Sequence, residues 1–192
     1  MIVPLRVAAV VAALGSATAA SPALAESWQI DHDQSALRFV FSQEGSGVEG
    51  EFRDFSAEMV FDPDDLANSG FDVTIDVTSV DTGLVDRDEL LAASDWFGFD
   101  DFPKARFVTK RFEALGDHRY RAVADLTIRA ITQEVELPFT WTVDGGTAEM
   151  DGETVLDRTR FEVGTGEWSS DETVGFEVEV KVDLTLTASP SS

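Results

Sequence analysis

The sequence predicts an all-β protein, an antiparallel β-barrel of about eight strands with one short helical insertion near residues 86–97. Apolar and polar residues alternate along most of the chain, as in strands with one buried face. Segments rich in turn residues separate the alternating runs. Only one stretch carries helix-forming residues without the alternation. Long strands with a single apolar face favour a barrel over a sandwich.

The strands follow from the two-residue period. In "FDVTIDVTSV", alternate residues from Phe71 to Val77 place apolar side chains on one face. "VGFEVEVKVDLTLTA" repeats this pattern from Val174 onwards over a longer span. The other alternating runs, in chain order, are "SALRFVF", "GVEGEFRDFSAEMVFD", "KARFVTKRFEAL", "RYRAVADLTIRA", "ITQEVELPFTWTV" and "AEMDGETVLDRTRF".

The helical insertion lies inside the acidic stretch "VDTGLVDRDELLAASDWFGFDDFP". Asp86 precedes "RDELL" at a position suited to beginning a helix. We expect the apolar side chains of the stretch to fold inward over one end of the barrel. We also expect them to contribute more than its acids to stability or lipid retention. These side chains are Leu90, Leu91, Trp96, Phe97 and Phe102.

Large apolar side chains fall at positions that can face the barrel interior. A closed eight-stranded barrel is nearly filled by side chains or holds one elongated ligand. A plain packed core is therefore the alternative for every candidate. By periodicity, the predicted wall of a ligand cavity consists of Leu37, Phe39, Phe41, Phe52, Leu126, Ile128, Phe139 and Trp141.

Residues 1–25 have the pattern of a secretory signal peptide. Arg6 precedes an apolar run too short to span a bilayer, and small residues end in Ala23-Leu24-Ala25. We expect cleavage after Ala25 and a periplasmic barrel domain over 26–192. No other segment is predicted to span a membrane.

Composition excludes several function classes. With 37 acidic and 14 basic residues, the formal charge of −23 repels nucleic acid and anionic membrane surfaces. The absence of cysteine rules out a disulfide framework. His32 and His118, the two histidines, lie in different segments, which disfavours a zinc site in a chain without cysteine. Neither G-x-S-x-G nor a nucleotide-binding glycine motif occurs. A binding module is thus favoured over an enzyme, with no metal or other cofactor.

The order of motifs resembles the YceI-like family, exported lipocalin-like barrels associated with binding polyisoprenoid lipids. Individually the motifs are weak, but their order and spacing are specific. They are "WQIDHDQSALRF", "GVEGEFRDF", "FDPDDLANS", "VTIDVTSVDTG", "RDELL", "DWFGFDDFPKARF", "ADLTIRAITQEVELPF" and "LDRTRFEVG".

The resemblance implies a hydrophobic cavity that holds an isoprenoid chain, such as a quinone or a polyprenyl lipid, and no catalytic residues. The segment "GTGEWSSDETVG" resembles the branch of the family linked to b-type diheme membrane cytochromes. That likeness makes a quinone-related role beside such a cytochrome the alternative function. The sequence leaves a homodimer open.

The sequence departs from the family pattern in some places and keeps prominent family residues in others. Gln43 lies nearest the place where many members have a histidine. Ala124 and Ala130 replace glycines, so the turn before Thr132 is expected to differ slightly. Three further residues fall on prominent family positions, where structural ion pairing is favoured over head-group contact: Arg87, Asp88 and Arg158.

Overall fold

The computed structural model describes residues 26–189, which form a single antiparallel sheet of eleven strand segments closed on itself. One α-helix, α1 (Val85–Leu91), and five short 3-10 turns interrupt it. In chain order, the strands β1 to β11 are Ser27–Ile30, Ala36–Gln43, Ser46–Phe52, Phe55–Val60, Gly70–Asp76, Val80–Asp81, Lys104–Gly116, Arg119–Ile128, Ile131–Asp144, Thr147–Asp157 and Val174–Ala188.

Eight long strands account for these eleven segments. β1 continues into β2, β3 into β4 and β5 into β6, each across a short break. The continuous strands keep the same neighbours, since β2 pairs with β3 while β1 pairs with β4. β11 pairs with both β1 and β2, which joins the last strand to the first. The result is an eight-stranded antiparallel barrel in which each strand follows its neighbour, and the predicted fold class is confirmed.

Tight turns with left-handed backbone connect several of the strands. Arg129 and Ala130 have φ of 50° and 61° between the paired residues Ile128 and Ile131. Positive φ at both central residues is what a two-residue type I′ hairpin turn requires. A side chain at such a position is strained, and glycine is not. Ala130 therefore carries the cost that the sequence indicated.

Replacing Ala130 by glycine is expected to raise the free energy of unfolding by about 0.5–1 kcal/mol, because glycine adopts positive φ without the steric penalty. Urea denaturation, followed by tryptophan fluorescence, measures the change. Ala124→Gly is the matched control with the opposite sign, since Ala124 is fully buried in β8 at negative φ. A loss of stability in both variants would contradict this account of the turn.

The helical insertion is shorter than the sequence indicated. Helix α1 ends at Leu91, and residues 92–101 continue as turns. The prediction that Asp86 begins the helix is wrong, because the residue before the first turn is Leu84, which makes no side-chain cap. Asp86 lies within the first turn, where a carboxylate interacts favourably with the helix dipole.

The barrel core divides into two main parts along its length. One end is packed solid around Phe61, whose ring lies 4.8–5.7 Å from the rings of five other aromatic residues. The other end, beneath α1 and the following turns, contains larger gaps between its side chains. Its buried residues include Phe39, Leu91, Trp96 and Phe161.

The predicted signal peptide, residues 1–25, lies outside the described residues. Across 26–189, no helix has the length and apolar character needed to cross a membrane.

Candidate functional site

An apolar cavity of about 250 Å³ occupies the part of the barrel beneath α1. It reaches from Leu184 and Met150, beside the solid core, to Gln43, Arg87 and Trp168 at the opposite end. We call this opposite end the mouth. The lining is almost entirely aliphatic and aromatic, and among the residues that the structure describes no aspartate or glutamate contributes to it. Such a lining suits a hydrocarbon chain.

The length of the cavity follows from the strand that borders it. Alternate residues of β11 from Val178 to Leu184 line the interior. At about 3.3 Å per residue this run extends for roughly 20 Å along the strand. A volume of about 250 Å³ spread over such a length describes a narrow space. It fits a slender chain better than a rounded molecule.

The structure separates the predicted wall residues into two groups. Phe139 and Trp141 do not line the cavity, since both pack in the solid core around Phe61. Their rings lie 5.5 Å and 4.8 Å from that of Phe61. Contact between the remaining six and a ligand stays a prediction. These six line the cavity: Leu37, Phe39, Phe41, Phe52, Leu126 and Ile128.

Sequence reasoning missed much of the wall. Strands β5, β7, β10 and β11 all face the interior with the same two-residue period, and that signal could have found them. The predicted wall was confined to β2, β3, β8 and β9. Missed lining residues are Val73, Ile75, Phe107, Leu156, Val178 and Val182.

One glycine shapes the wall. Gly50 lies opposite Phe39 in the pairing of β2 with β3, and the Phe39 ring covers it. A β-carbon at Gly50 would approach that ring to 2.5 Å. The Phe39 ring also packs against the rings of Phe52, at 5.1 Å, and Phe41, at 6.2 Å. The Phe39 ring, and with it the rings of Phe41 and Phe52, can therefore occupy this position only because Gly50 has no β-carbon.

Gly50→Ala is expected to push the Phe39 ring into the cavity. The change should lower stability by about 1–3 kcal/mol through overpacking and reduce the amount of bound hydrocarbon. Denaturation and titration with an apolar fluorescent probe measure the two effects. Gly47→Ala is the matched control in the same strand, because its nearest neighbour is Val40 at 3.9 Å. Equal probe binding by Gly50→Ala and the wild type would contradict the predicted ring movement.

The buried guanidinium of Arg158 binds backbone carbonyl groups at the mouth. Arg158 is 4% exposed, and its five N–H groups all donate to backbone carbonyl oxygens. The acceptors, at 2.7–2.9 Å, are the oxygens of Val163, Gly164, Trp168, Val174 and Gly175.

These bonds fix the irregular connection between β10 and β11. Gly164 has positive φ, and a β-carbon there would meet the Arg158 guanidinium. Burial lowers the pKa of this guanidinium, and the neighbouring Asp157 carboxylate opposes the shift. Arginine keeps its charge in proteins, because its guanidinium is not deprotonated at ordinary pH. Arg158 is thus a buried cation whose charge is stabilised by hydrogen bonds to backbone carbonyl groups.

Trp96 joins this connection to the insertion. Its ring lies 5.5 Å from that of Trp168 and 5.3 Å from the Arg158 guanidinium carbon. The backbone carbonyl of Asp95 accepts from the N–H groups of Gly164 and Thr165, both at 2.8 Å. The insertion therefore covers one end of the barrel.

The expected inward folding holds for most of the apolar residues. Leu91, Trp96 and Phe97 line the cavity and belong to its apolar core, whereas Leu90 borders the cavity but is 36% exposed. Phe102 does not, and its ring lies 5.8 Å from the guanidinium carbon of Arg129.

The predicted ion pairing of Arg87, Asp88 and Arg158 is wrong. Asp88 accepts instead from the backbone N–H and the hydroxyl of Thr82, at 3.0 and 2.6 Å. Arg87 donates to the side-chain oxygen of Gln43, at 3.2 Å, and to the backbone oxygen of Thr82. The Asp88 carboxylate therefore binds the turn before α1 and forms no ion pair with either arginine.

Neither histidine belongs to a metal centre in this structure. His32 packs edge-on against the Phe55 ring at 5.2 Å, and His118 occupies a hairpin turn with positive φ. Within 26–189, no three His, Cys, Asp or Glu side chains come together in a group that could hold a metal ion.

The fold and cavity define a closed eight-stranded barrel with an apolar interior, an architecture that holds small ligands. The chain belongs to the YceI-like family, since the model of the YceI-like domain matches residues 28–186.

Named relatives agree with this assignment. Protein YceI of Shigella flexneri is 31% identical over 121 residues, 62% of this chain and 63% of that protein. The UPF0312 protein plu2095 of Photorhabdus laumondii is 32% identical over 121 residues, 62% of each chain. The matches thus span less than two thirds of these curated relatives.

Solved structures share the barrel. The crystal structure of Burkholderia cenocepacia BcnA has a TM-score of 0.79 and 35% identity, and covers 81% of this chain and 98% of that one. A polyisoprenoid binding domain from Saccharophagus degradans has a TM-score of 0.66, covering 84% of this chain and 98% of that one. With 14% identity, this second likeness shows the fold alone.

Proposed function

We propose that this protein binds the isoprenoid chain of a quinone or polyprenyl lipid inside the barrel and sequesters or carries it after export. The observation that carries the proposal is the narrow cavity with its apolar, acid-free lining. Membership of the YceI-like family and the fold shared with a polyisoprenoid binding domain support it.

The energetics favour a chain over a polar ligand. Hidden apolar surface contributes about 25 cal/mol per Å², so an extended hydrocarbon needs few polar contacts to bind. At about 250 Å³ the cavity lies just below the ~300–1,000 Å³ typical of ligand pockets. A long isoprenoid would therefore bind with movement of the half-buried wall residues, Phe41 and Phe52 among them. Selection would act mainly on the length and width of the chain.

Native mass spectrometry of protein purified from the exported fraction, followed by lipid extraction, tests the proposal. We expect an adduct that is released on denaturation and identified as an isoprenoid. The Gly50→Ala variant, prepared in parallel, should retain less of it than Gly47→Ala. Recovery of no lipid, together with no binding of an added isoprenoid, would reject the function.

A further inference from the structure

We propose that the mouth of the cavity is a head-group site, which binds an oxygen acceptor on the ligand whose tail fills the barrel. The acceptor is a carbonyl or an anionic phosphate or carboxylate. This inference rests on the proposed function and adds the chemical class of the head group to it.

The charges of the lining point to an acceptor. The protein has 37 acidic and 14 basic residues, yet the charged groups described in the cavity wall are three arginines, Arg38, Arg87 and Arg158. Hydrogen-bond donors thus dominate the polar part of the lining. An ammonium head would meet cations without a compensating carboxylate, whereas an oxygen acceptor would meet donors.

Arg87 is the arginine with donors to spare. Arg38 pairs with Asp183 at 2.7 Å, and all five N–H groups of Arg158 are used by backbone oxygens. Arg87 uses one N–H on Gln43 and another on Thr82. Since a guanidinium has five N–H donors, three remain for a ligand.

Gln43 presents a donor beside the arginine. Its side-chain oxygen accepts from Arg87 Nε at 3.2 Å, which fixes the amide so that its oxygen faces the guanidinium. The amide NH₂ then points elsewhere and can donate. Gln43 pairs with Val174 at the last residue of β2, which places both donors at the mouth rather than beside the solid core.

A second, independent observation comes from Trp96. This residue lines the cavity and is 5% exposed, but its indole Nε1–H has no acceptor among the described residues. Most buried polar groups in proteins have a partner, and leaving one unpaired is unfavourable. An acceptor oxygen on the ligand would satisfy the donor. Trp141 Nε1 also lacks an acceptor among the described residues, but Trp141 packs in the solid core, whereas Trp96 lines the cavity.

A series of probes with one farnesyl chain and different heads tests the inference. Farnesyl phosphate carries an anionic acceptor, farnesylacetone a neutral carbonyl, and farnesylamine an ammonium. Farnesene, without a polar head, measures the contribution of the chain. Titration followed by tryptophan fluorescence should show that the phosphate or the ketone binds at least about tenfold more tightly than the amine, a difference of about 1.4 kcal/mol. Tighter binding of farnesyl phosphate than of farnesylacetone would indicate that the natural head group is anionic. Equal binding of the two probes would indicate that the natural head group is a carbonyl.

Arg87→Met should reduce the ratio of acceptor-head affinity to farnesene affinity about tenfold. Arg160→Met is the matched control, because it removes the same charge from an exposed arginine that does not line the cavity. The ratio of head-bearing to farnesene affinity is internally normalised, so a partly unfolded preparation does not alter it. Equal affinity for all heads in the wild type, or an unchanged ratio in Arg87→Met, would overturn the head-group site. Failure of every farnesyl probe to bind would instead reject the proposed function.

Discussion

Arg158→Met is expected to lower the free energy of unfolding by about 4 kcal/mol, the largest effect of any single change considered for this barrel. The substitution leaves five buried carbonyl oxygens without their charged donor. Hydrogen bonds to charged groups contribute roughly 1.5–3 kcal/mol each, and the losses are not additive. Because small domains have only about 5–15 kcal/mol of stability in total, much of the margin would disappear.

Urea denaturation at neutral pH measures this loss. Arg160→Met, two residues away on the surface, should stay within about 0.5 kcal/mol of the wild type. Arg158→Lys keeps a positive charge but supplies three donors in place of five, so its stability should fall between the two. Equal stability of Arg158→Met and Arg160→Met would show that the carbonyl network does not hold the β10–β11 connection.

Trp96→Ala is expected to cost about 3 kcal/mol and to speed release of a bound chain. Trp96 is buried between Trp168, the Arg158 guanidinium and the cavity, so truncation leaves a void beneath the insertion. Stability follows from denaturation, and the release rate from displacement of a fluorescent fatty probe. The insertion would lose its main anchor to the barrel.

The acids of the same stretch provide the comparison. Asp100 and Asp101 are exposed, so Asp100→Asn and Asp101→Asn should each change stability by less than about 0.5 kcal/mol. Trp96→Phe should fall between these variants and Trp96→Ala, because it keeps an aromatic ring under the insertion. Equal losses of stability from the aspartate and tryptophan changes would contradict the prediction that the aromatic residues contribute more than the acids.

Two arginines that line the mouth differ in the N–H donors they have left. Arg158 stabilises the connection around the opening and has no N–H group left for a ligand. Arg87, in helix α1, is half-buried and uses only two of its five N–H groups in hydrogen bonds within the protein. Substitution of Arg158 should therefore act through stability, whereas substitution of Arg87 should act through head-group preference.

Several features could be predicted from local sequence. Alternation identified the inward face over most strands, because the two faces of a strand differ by a period of two. In β7 a register shift between Thr109 and Arg111 moves the inward positions from Ala105 and Phe107 to Phe112, which alternation did not predict.

The family resemblance, in which Ala130 stands where relatives have glycine, pointed to the turn where its φ is positive. The side chains of Leu91, Trp96 and Phe97 turn toward the interior as their apolar character indicated, but Leu90 is 36% exposed.

Depth along the barrel could not be predicted in the same way. Phe139 and Leu126 both face inward, but Phe139 lies in the solid core while Leu126 lines the cavity. Periodicity identifies a face and contains no information about height. Height depends on strand tilt and on the register between neighbours, which are properties of the closed sheet.

The sequence by itself determined the class of fold, the inward faces of the strands and the family, because each depends on local patterns and on the order of motifs. Only the tertiary structure decided where the interior is solid, which groups Arg158 binds and which cavity-lining arginine keeps unused N–H donors. Those outcomes depend on contacts between segments far apart in the chain. Arg158 shows the reason clearly: a buried cation needs compensation, and backbone carbonyls that provide it leave no signature in the sequence.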